Sequence, residues 1–114
     1  MARKRYEIIA TTFDKKGRVI ASGLNEYNRS HPLFKHFAVL AGESDQKIFK
    51  HAEFSAVLKS GDKEIDSILV QRFDLQGKPK LAKPCRTCQV MLKAIGVKTV
   101  RYTTEEGIKE YEVL

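Results

Sequence analysis

An α/β fold, with helices laid over a sheet, is what this 114-residue sequence predicts, and three observations predict it. Stretches rich in β-branched and aromatic residues alternate with stretches of helical periodicity, in the order strand, strand, helix, strand, helix, strand. A composition of 42% hydrophobic and 31% charged residues is that of one water-soluble domain with a core of its own. No repeat, low-complexity tract or Pro/Gly/Ser-rich linker divides the chain, so residues 1–114 are expected to form a single domain.

The elements follow in order. RYEIIATTF (5–13) and RVIASGLN (18–25) carry the residues that favour strands, and the DKKG between them is a turn in which Gly17 can take a positive φ. These two strands should form a hairpin. The stretch from Glu26 to Ile48 starts polar and is interrupted by Pro32; a helix is expected only over 33–41, before Gly42. KHAEFSAVLKS (50–60) places Ala52, Phe54, Ala56, Val57 and Leu58 near helical spacing, with Gly61 where a helix would stop. IDSILVQRF (65–73) reads as a strand, and DLQGKP as the turn after it. Pro84 introduces CRTCQVMLKAIG, a helix closed by Gly96. VKTVRYT (97–103) is a further strand, and the tail beyond Gly107 is short enough to suit a returning strand.

Charge and targeting signals narrow the partners. The formal charge of +7 and a pI near 9.5 are spread along the chain and favour anionic partners, either nucleotides or nucleic acid. The basic N-terminus MARKRYEIIA lacks the apolar stretch and cleavage site of a signal peptide, and no run of about 18 apolar residues exists. A cytoplasmic protein without membrane contact is expected. In a reducing compartment, two cysteines at CxxC spacing are catalytic or metal-binding rather than a structural disulfide.

Cys85 and Cys88 are three residues apart at the start of a helix, so both sulfurs leave the same face of its first turn. The free N–H groups and dipole of that helix end stabilise thiolates, the form that binds metal. His51, at the start of the other helix, offers an imidazole. Two thiolates and one imidazole make three ligands, and tetrahedral zinc with three protein ligands leaves a fourth position for water, the arrangement of a catalytic centre. A closed site would need His31 or His36, and neither has a spacing that points to the cluster. Glu53 stands about 200° from His51 on an ideal helix, so it need not be a ligand. At the looser helix opening its carboxylate can lie beside the water and move protons. Taken singly, HAE is a common tripeptide, and PCRTC also fits a redox pair or half of a zinc ribbon. Together they match H-x-E with P-C-x-x-C, the pattern of zinc deaminases.

HAEFSAVLKS, ILVQRF and KPCRTCQVMLKAIGVKTVRYT resemble the core of the cytidine and deoxycytidylate deaminase superfamily, especially its small bacteriophage-encoded members, over residues 5–103. The resemblance implies a three-layer fold, a central mixed sheet with helices on its faces. It implies one Zn2+ per chain held by His51, Cys85 and Cys88, with Glu53 as proton shuttle and the backbone of Ala52 touching the base. Gly23-Leu24-Asn25 matches a glycine and asparagine that precede the active site in the family, which gives Asn25 a role in binding sugar or base; a turn-forming Asn is the plainer reading. In family terms a returning last strand is similar to the free-nucleoside branch, and a parallel strand after a helix to the deoxycytidylate and nucleic-acid branch. The chain lacks the cysteines for a second, structural zinc site and the N-terminal helix of several members, so a partner subunit is expected to cover the exposed sheet, making a homo-oligomer.

The reaction so implied is hydrolytic deamination of cytosine to uracil with release of ammonia. The expected substrate is a small pyrimidine nucleotide, deoxycytidylate foremost. Its phosphate would meet the 26–37 loop, where Arg29, Ser30, His31, Lys35 and His36 stand; a solvated basic loop is the alternative. Tyr102, at a strand end, is a candidate for contact with the base or a core residue. The competing readings are a deaminase of cytosine or adenine in single-stranded nucleic acid, and a zinc-stabilised interaction module without activity. Glu53 argues against the module, since a structural zinc has no use for it. The small size of the chain argues for a free nucleotide over a polymer.

Overall fold

The computed structural model describes residues 7–25, 36 and 51–113. Six strands share one sheet: β1 (Glu7–Phe13), β2 (Val19–Leu24), β3 (Ser67–Phe73), β4 (Pro79–Lys80), β5 (Thr99–Thr104) and β6 (Gly107–Glu112). Two helices described over their length, α1 (Ala52–Ser60) and α2 (Arg86–Ala94), precede β3 and β5. The strand order is β2-β1-β3-β5-β6, with β4 paired to the end of β3. Among the described residues only β3 and β5 run parallel, joined by the crossover that contains α2; the other pairings are antiparallel, so the sheet is mixed. The α/β architecture expected from the sequence is therefore present. β4 lies where only a turn was expected, and its two residues, one of them a proline without an N–H to donate, explain why no periodicity announced it. The last strand returns: β6 pairs antiparallel with β5 over Thr99↔Glu112 to Thr104↔Gly107.

The β1–β2 and β3–β4 turns use the same device. Asp14 Oδ1 accepts from the N–H groups of Lys16 and Arg18, and Asp74 Oδ1 from those of Gln76 and Lys78, all at 2.9 Å. Gly17 and Gly77 close these turns at φ of 78° and 80°, a conformation that favours glycine.

Strand alternation builds one buried face. Ala10 and Thr12 of β1 pair with Val70 and Ile68 of β3, which pair in turn with Tyr102 and Val100 of β5. Phe54 and Ala56 of α1 and Cys88, Met91 and Leu92 of α2 join Ala10, Ile68, Val70 and Val100 in a single core. Both described helices thus lie on this face, and helices on the other face are not seen among the described residues. On that other face the Arg101 guanidinium lies 5.2 Å from the centre of the Phe13 ring. α1 is fixed closely to the sheet. Its Ser60 hydroxyl shares a 2.7 Å hydrogen bond with Thr12, both buried, and Gly23 of β2 lies so near the helix that a Cβ there would be 2.5 Å from the Ala56 nitrogen. Residues 26–35 and 37–50, with the helix expected over 33–41, lie outside the described residues; His36 is helical and exposed.

Candidate active site

His51 and Cys85 hold the same position in their helices, the N-cap of α1 and of α2, with extended backbones at φ −77°, ψ 156° and φ −69°, ψ 169°. Neither side chain caps its own helix. Their carbonyls accept the first helical bonds, from Ser55 N at 3.0 Å and Gln89 N at 2.9 Å, so each helix starts without a side-chain cap from imidazole or thiol. They turn toward each other. His51 Nδ1 is 3.4 Å from Cys85 Sγ and 3.5 Å from Cys88 Sγ, and the three ligand atoms lie within 4.8 Å of one another.

These spacings test whether a metal fits. Tetrahedral zinc, with Zn–N near 2.05 Å and Zn–S near 2.3 Å, sets nitrogen and sulfur roughly 3.5 Å apart. The observed separations match, and two thiols with one imidazole are the donor set of an open zinc centre. Among the described residues no other group of three or more His, Cys, Asp and Glu side chains is placed to hold a metal ion. Both cysteines are free thiols.

Electrostatics agree with the geometry. A hydrogen bond from the Cys88 side chain, with further help from His51 and the Cys88 N–H, pulls the Cys85 thiol down to about 4. Cys88 is pushed up, first by that same bond to the Cys85 thiolate and then by burial. A dication among the three atoms would favour both thiolates. Glu53, the second residue of α1, is buried at 5% exposure. Because His51 lies outside the helix, the 200° separation of ideal geometry does not apply, and the carboxylate stands beside the ligands. Burial raises its pKa, which suits a group that must both accept and release a proton.

A cleft of about 210 Å³ opens onto this centre, lined by Ile8, Asn25, His51, Ala52, Glu53, Val70, Arg72, Leu81, Ala82, Lys83 and Cys85. Of the residues expected from the sequence, it brings together His51, Ala52, Glu53, Cys85 and Asn25, with Cys88 buried behind them. Asn25 Oδ1 accepts from Ile8 N at 3.3 Å, while its buried Nδ2 has no partner among the described residues and so remains a donor for a ligand. Tyr102 is not brought in. It packs against the core with its ring centre 6.1 Å from that of Tyr111, whose hydroxyl burial pushes up to about 12. Arg29, Ser30, His31 and Lys35 lie outside the described residues. Sequence reasoning missed Arg72 and Lys83. A signal existed for the first: counting by twos along β3 from Ile68 and Val70 puts Arg72 on the same inward face.

Comparison with known proteins agrees with this site. The model of the family described as the cytidine and deoxycytidylate deaminase zinc-binding region matches residues 2–104. Among solved structures, cytidine deaminase from Mycobacterium leprae superposes with a TM-score of 0.55 at 18% identity, covering 93% of this chain and 75% of its own. Cytidine deaminase from Mycobacterium tuberculosis gives 0.51 at 17% identity, covering 92% and 72%. At these identities the likeness is one of fold. No curated protein sequence matches the chain.

Proposed function

The chain belongs to the cytidine and deoxycytidylate deaminase zinc-binding family, and from that premise we propose that it hydrolyses the C4 amino group of cytosine in a free pyrimidine nucleoside or nucleotide. The observation that carries this reading is the meeting of His51, Cys85 and Cys88 beside a buried carboxylate, at the foot of a cleft. His51 Nδ1 and the two sulfurs would hold a zinc ion. Zinc, when bound there, supplies the Lewis acidity that brings a water's pKa near neutrality. Glu53 does the proton work: it takes a proton from the attacking water, delivers it to the ring nitrogen next to C4, and passes the second to the departing amine. Water and cytosine are consumed, and uracil and ammonia are formed. Ala52 lines the wall, where its backbone would touch the base, and Asn25 Nδ2 would donate to a polar group of the substrate.

A free substrate is favoured over nucleic acid. The resemblance associates a returning last strand with the free-nucleoside branch, and β6 returns. The same criterion leans to a nucleoside, so a preference for deoxycytidylate has to come from side chains in the cleft. A cytoplasmic location follows from the need for reduced, metal-binding thiols. No described helix is long and apolar enough to cross a membrane. A homo-oligomer remains the expected assembly.

The test is Glu53→Gln, which keeps the shape of the side chain and removes its basicity. Zinc content should stay at one per chain while turnover of cytosine substrates falls by about two or more powers of ten. Turnover near that of the unaltered protein would give the proton transfer to another group.

A further inference from the structure

We propose that Thr103 positions one wall of the cleft, by pinning a fork in the sheet from which that wall hangs. The inference rests on the deaminase reading and adds a positioning residue to it. One edge of β3 is shared by two strands: β5 pairs with it in parallel from Ser67 to Val70, and β4 takes over at Arg72 and Phe73. Along the opposite edge β1 pairs with β3 over its whole length. β5 therefore leaves β3 where β4 arrives, and the two part just after Tyr102. Val70 and Arg72, on either side of the parting, both line the cleft. The carboxyl end of a parallel strand, where neighbouring strands diverge, is where an α/β sheet offers a crevice.

Thr103 of β5 fills this fork, buried at 4% exposure. Its hydroxyl accepts from the Arg72 N–H of β3 at 3.0 Å and donates to Lys80 O of β4 at 2.8 Å. Its carbonyl accepts from Ala82 N at 3.0 Å. Ala82 belongs to a strap, residues 81–84, that runs from β4 to Cys85 at the start of α2. Burial alternates along the strap as along a strand: Leu81 and Lys83 are exposed, Ala82 and Pro84 buried. Its far end is held separately, by Gln89 Nε2 donating to Pro84 O at 2.8 Å. Leu81, Ala82 and Lys83 all line the cleft.

A wall made of a strap is only as definite as its anchors. Irregular segments at binding sites are commonly among the least stable parts of a fold. This one is bonded at alternate residues, Lys80, Ala82 and Pro84, and the first two bonds are made by Thr103. The ion pair of Lys80 Nζ with Glu105 at 3.0 Å spans the same gap, but Glu105 is exposed, and such a pair fixes less than a buried bond. Valine at 103 would keep the volume and the carbonyl and remove the hydroxyl that joins β3, β4 and β5. The Cys85 end, held by Gln89 and by its own helix, would stay, so the wall shifts while the metal ligand does not. A substrate lying against a displaced wall loses contacts in ground and transition states alike, which is a KM effect.

The test measures kcat and KM on cytidine and deoxycytidine for the zinc-loaded full chain and its Thr103→Val and Thr103→Ser variants. Thr103→Val should raise KM by roughly ten-fold or more with kcat within about three-fold and zinc still at one per chain. Thr103→Ser, which keeps the hydroxyl, should stay within about three-fold of the unaltered KM. A merely structural role would shrink the folded fraction, lowering apparent kcat and leaving KM alone. An unaltered KM in Thr103→Val, loss of its zinc, or a Thr103→Ser variant as impaired as Thr103→Val would overturn the proposal. Amide hydrogen exchange reads the clamp without turnover: Ala82 N–H should exchange slowly in the unaltered protein and roughly ten-fold or more faster in Thr103→Val, with Val100 N–H unchanged. If no cytosine substrate is deaminated, the deaminase reading fails, and this exchange alone decides whether Thr103 holds the wall. Should Thr103→Val not fold, Ala82 exchange in the unaltered protein, with and without saturating deoxyuridine, carries the test. Slow exchange, slowed further by the nucleoside, supports the proposal; exchange as fast as in an open loop, or indifferent to the bound nucleoside, counts against it.

Discussion

His51 and Cys85 lie just outside their helices, and this fixes their chemistry. An N-cap side chain normally bonds its own helix; here both are aimed across a gap, so a metal ion becomes the shared partner of two helix ends whose dipoles favour thiolate. Metal binding is then coupled to folding. His51→Ala or Cys85→Ser should lower zinc from one per chain to near zero and, by costing at least about 1 kcal/mol of stability, lower Tm by about 4 °C or more. Zinc by mass spectrometry with a thermal melt checks both; a variant with full zinc and an unaltered Tm would remove that residue from the site. The ligands were legible in the sequence because each lies within a few residues of a recognisable helix start. Arg72 was not, since a strand read as a block of apolar residues hides which face its last members take. Lys83 belongs to an irregular strap that only the hydrogen bonds of Thr103 locate.

Among the elements, α1 sets the precision of the site because it carries Glu53 and follows His51. Its position depends on the close approach of β2, where Gly23 offers no side chain and Ser55 Cβ would lie 2.6 Å from an added Cβ. Gly23→Ala should therefore push α1 off the sheet, costing about 1–3 kcal/mol and lowering turnover while the ligand set stays intact. Chemical denaturation with an activity assay measures the two effects; a variant as stable and active as the unaltered protein would mean that the contact yields without consequence. The β1–β2 hairpin, α1, β3, α2 and β5 were all foreshadowed, because β-branched runs, the Asp14-to-Gly17 turn and terminal glycines are local signals. β4 was not, since two residues hold no period and their pairing is set by the DLQG turn. The closeness of Gly23 to α1 is a tertiary fact that no local pattern carries.

For the molecule as a whole, the mixed sheet brings residues far apart in sequence to one cleft at the carboxyl end of β3. The parallel pairing of β3 with β5 requires the α2 crossover, and the starts of α1 and α2 meet there, 34 residues apart between His51 and Cys85. Fold class was readable from element order, but the direction of β6 was open until its register with β5 was seen. The central claim is that this centre deaminates cytosine in free substrates. Ammonia release measured across cytidine, deoxycytidine, their 5′-monophosphates and a cytosine-containing oligonucleotide, with zinc-loaded protein and Glu53→Gln in parallel, tests it most directly. The account predicts ammonia and uracil in equal amounts from at least one free substrate, lost in the Glu53 variant. Protein holding one zinc per chain that releases ammonia from none of the free substrates would contradict it.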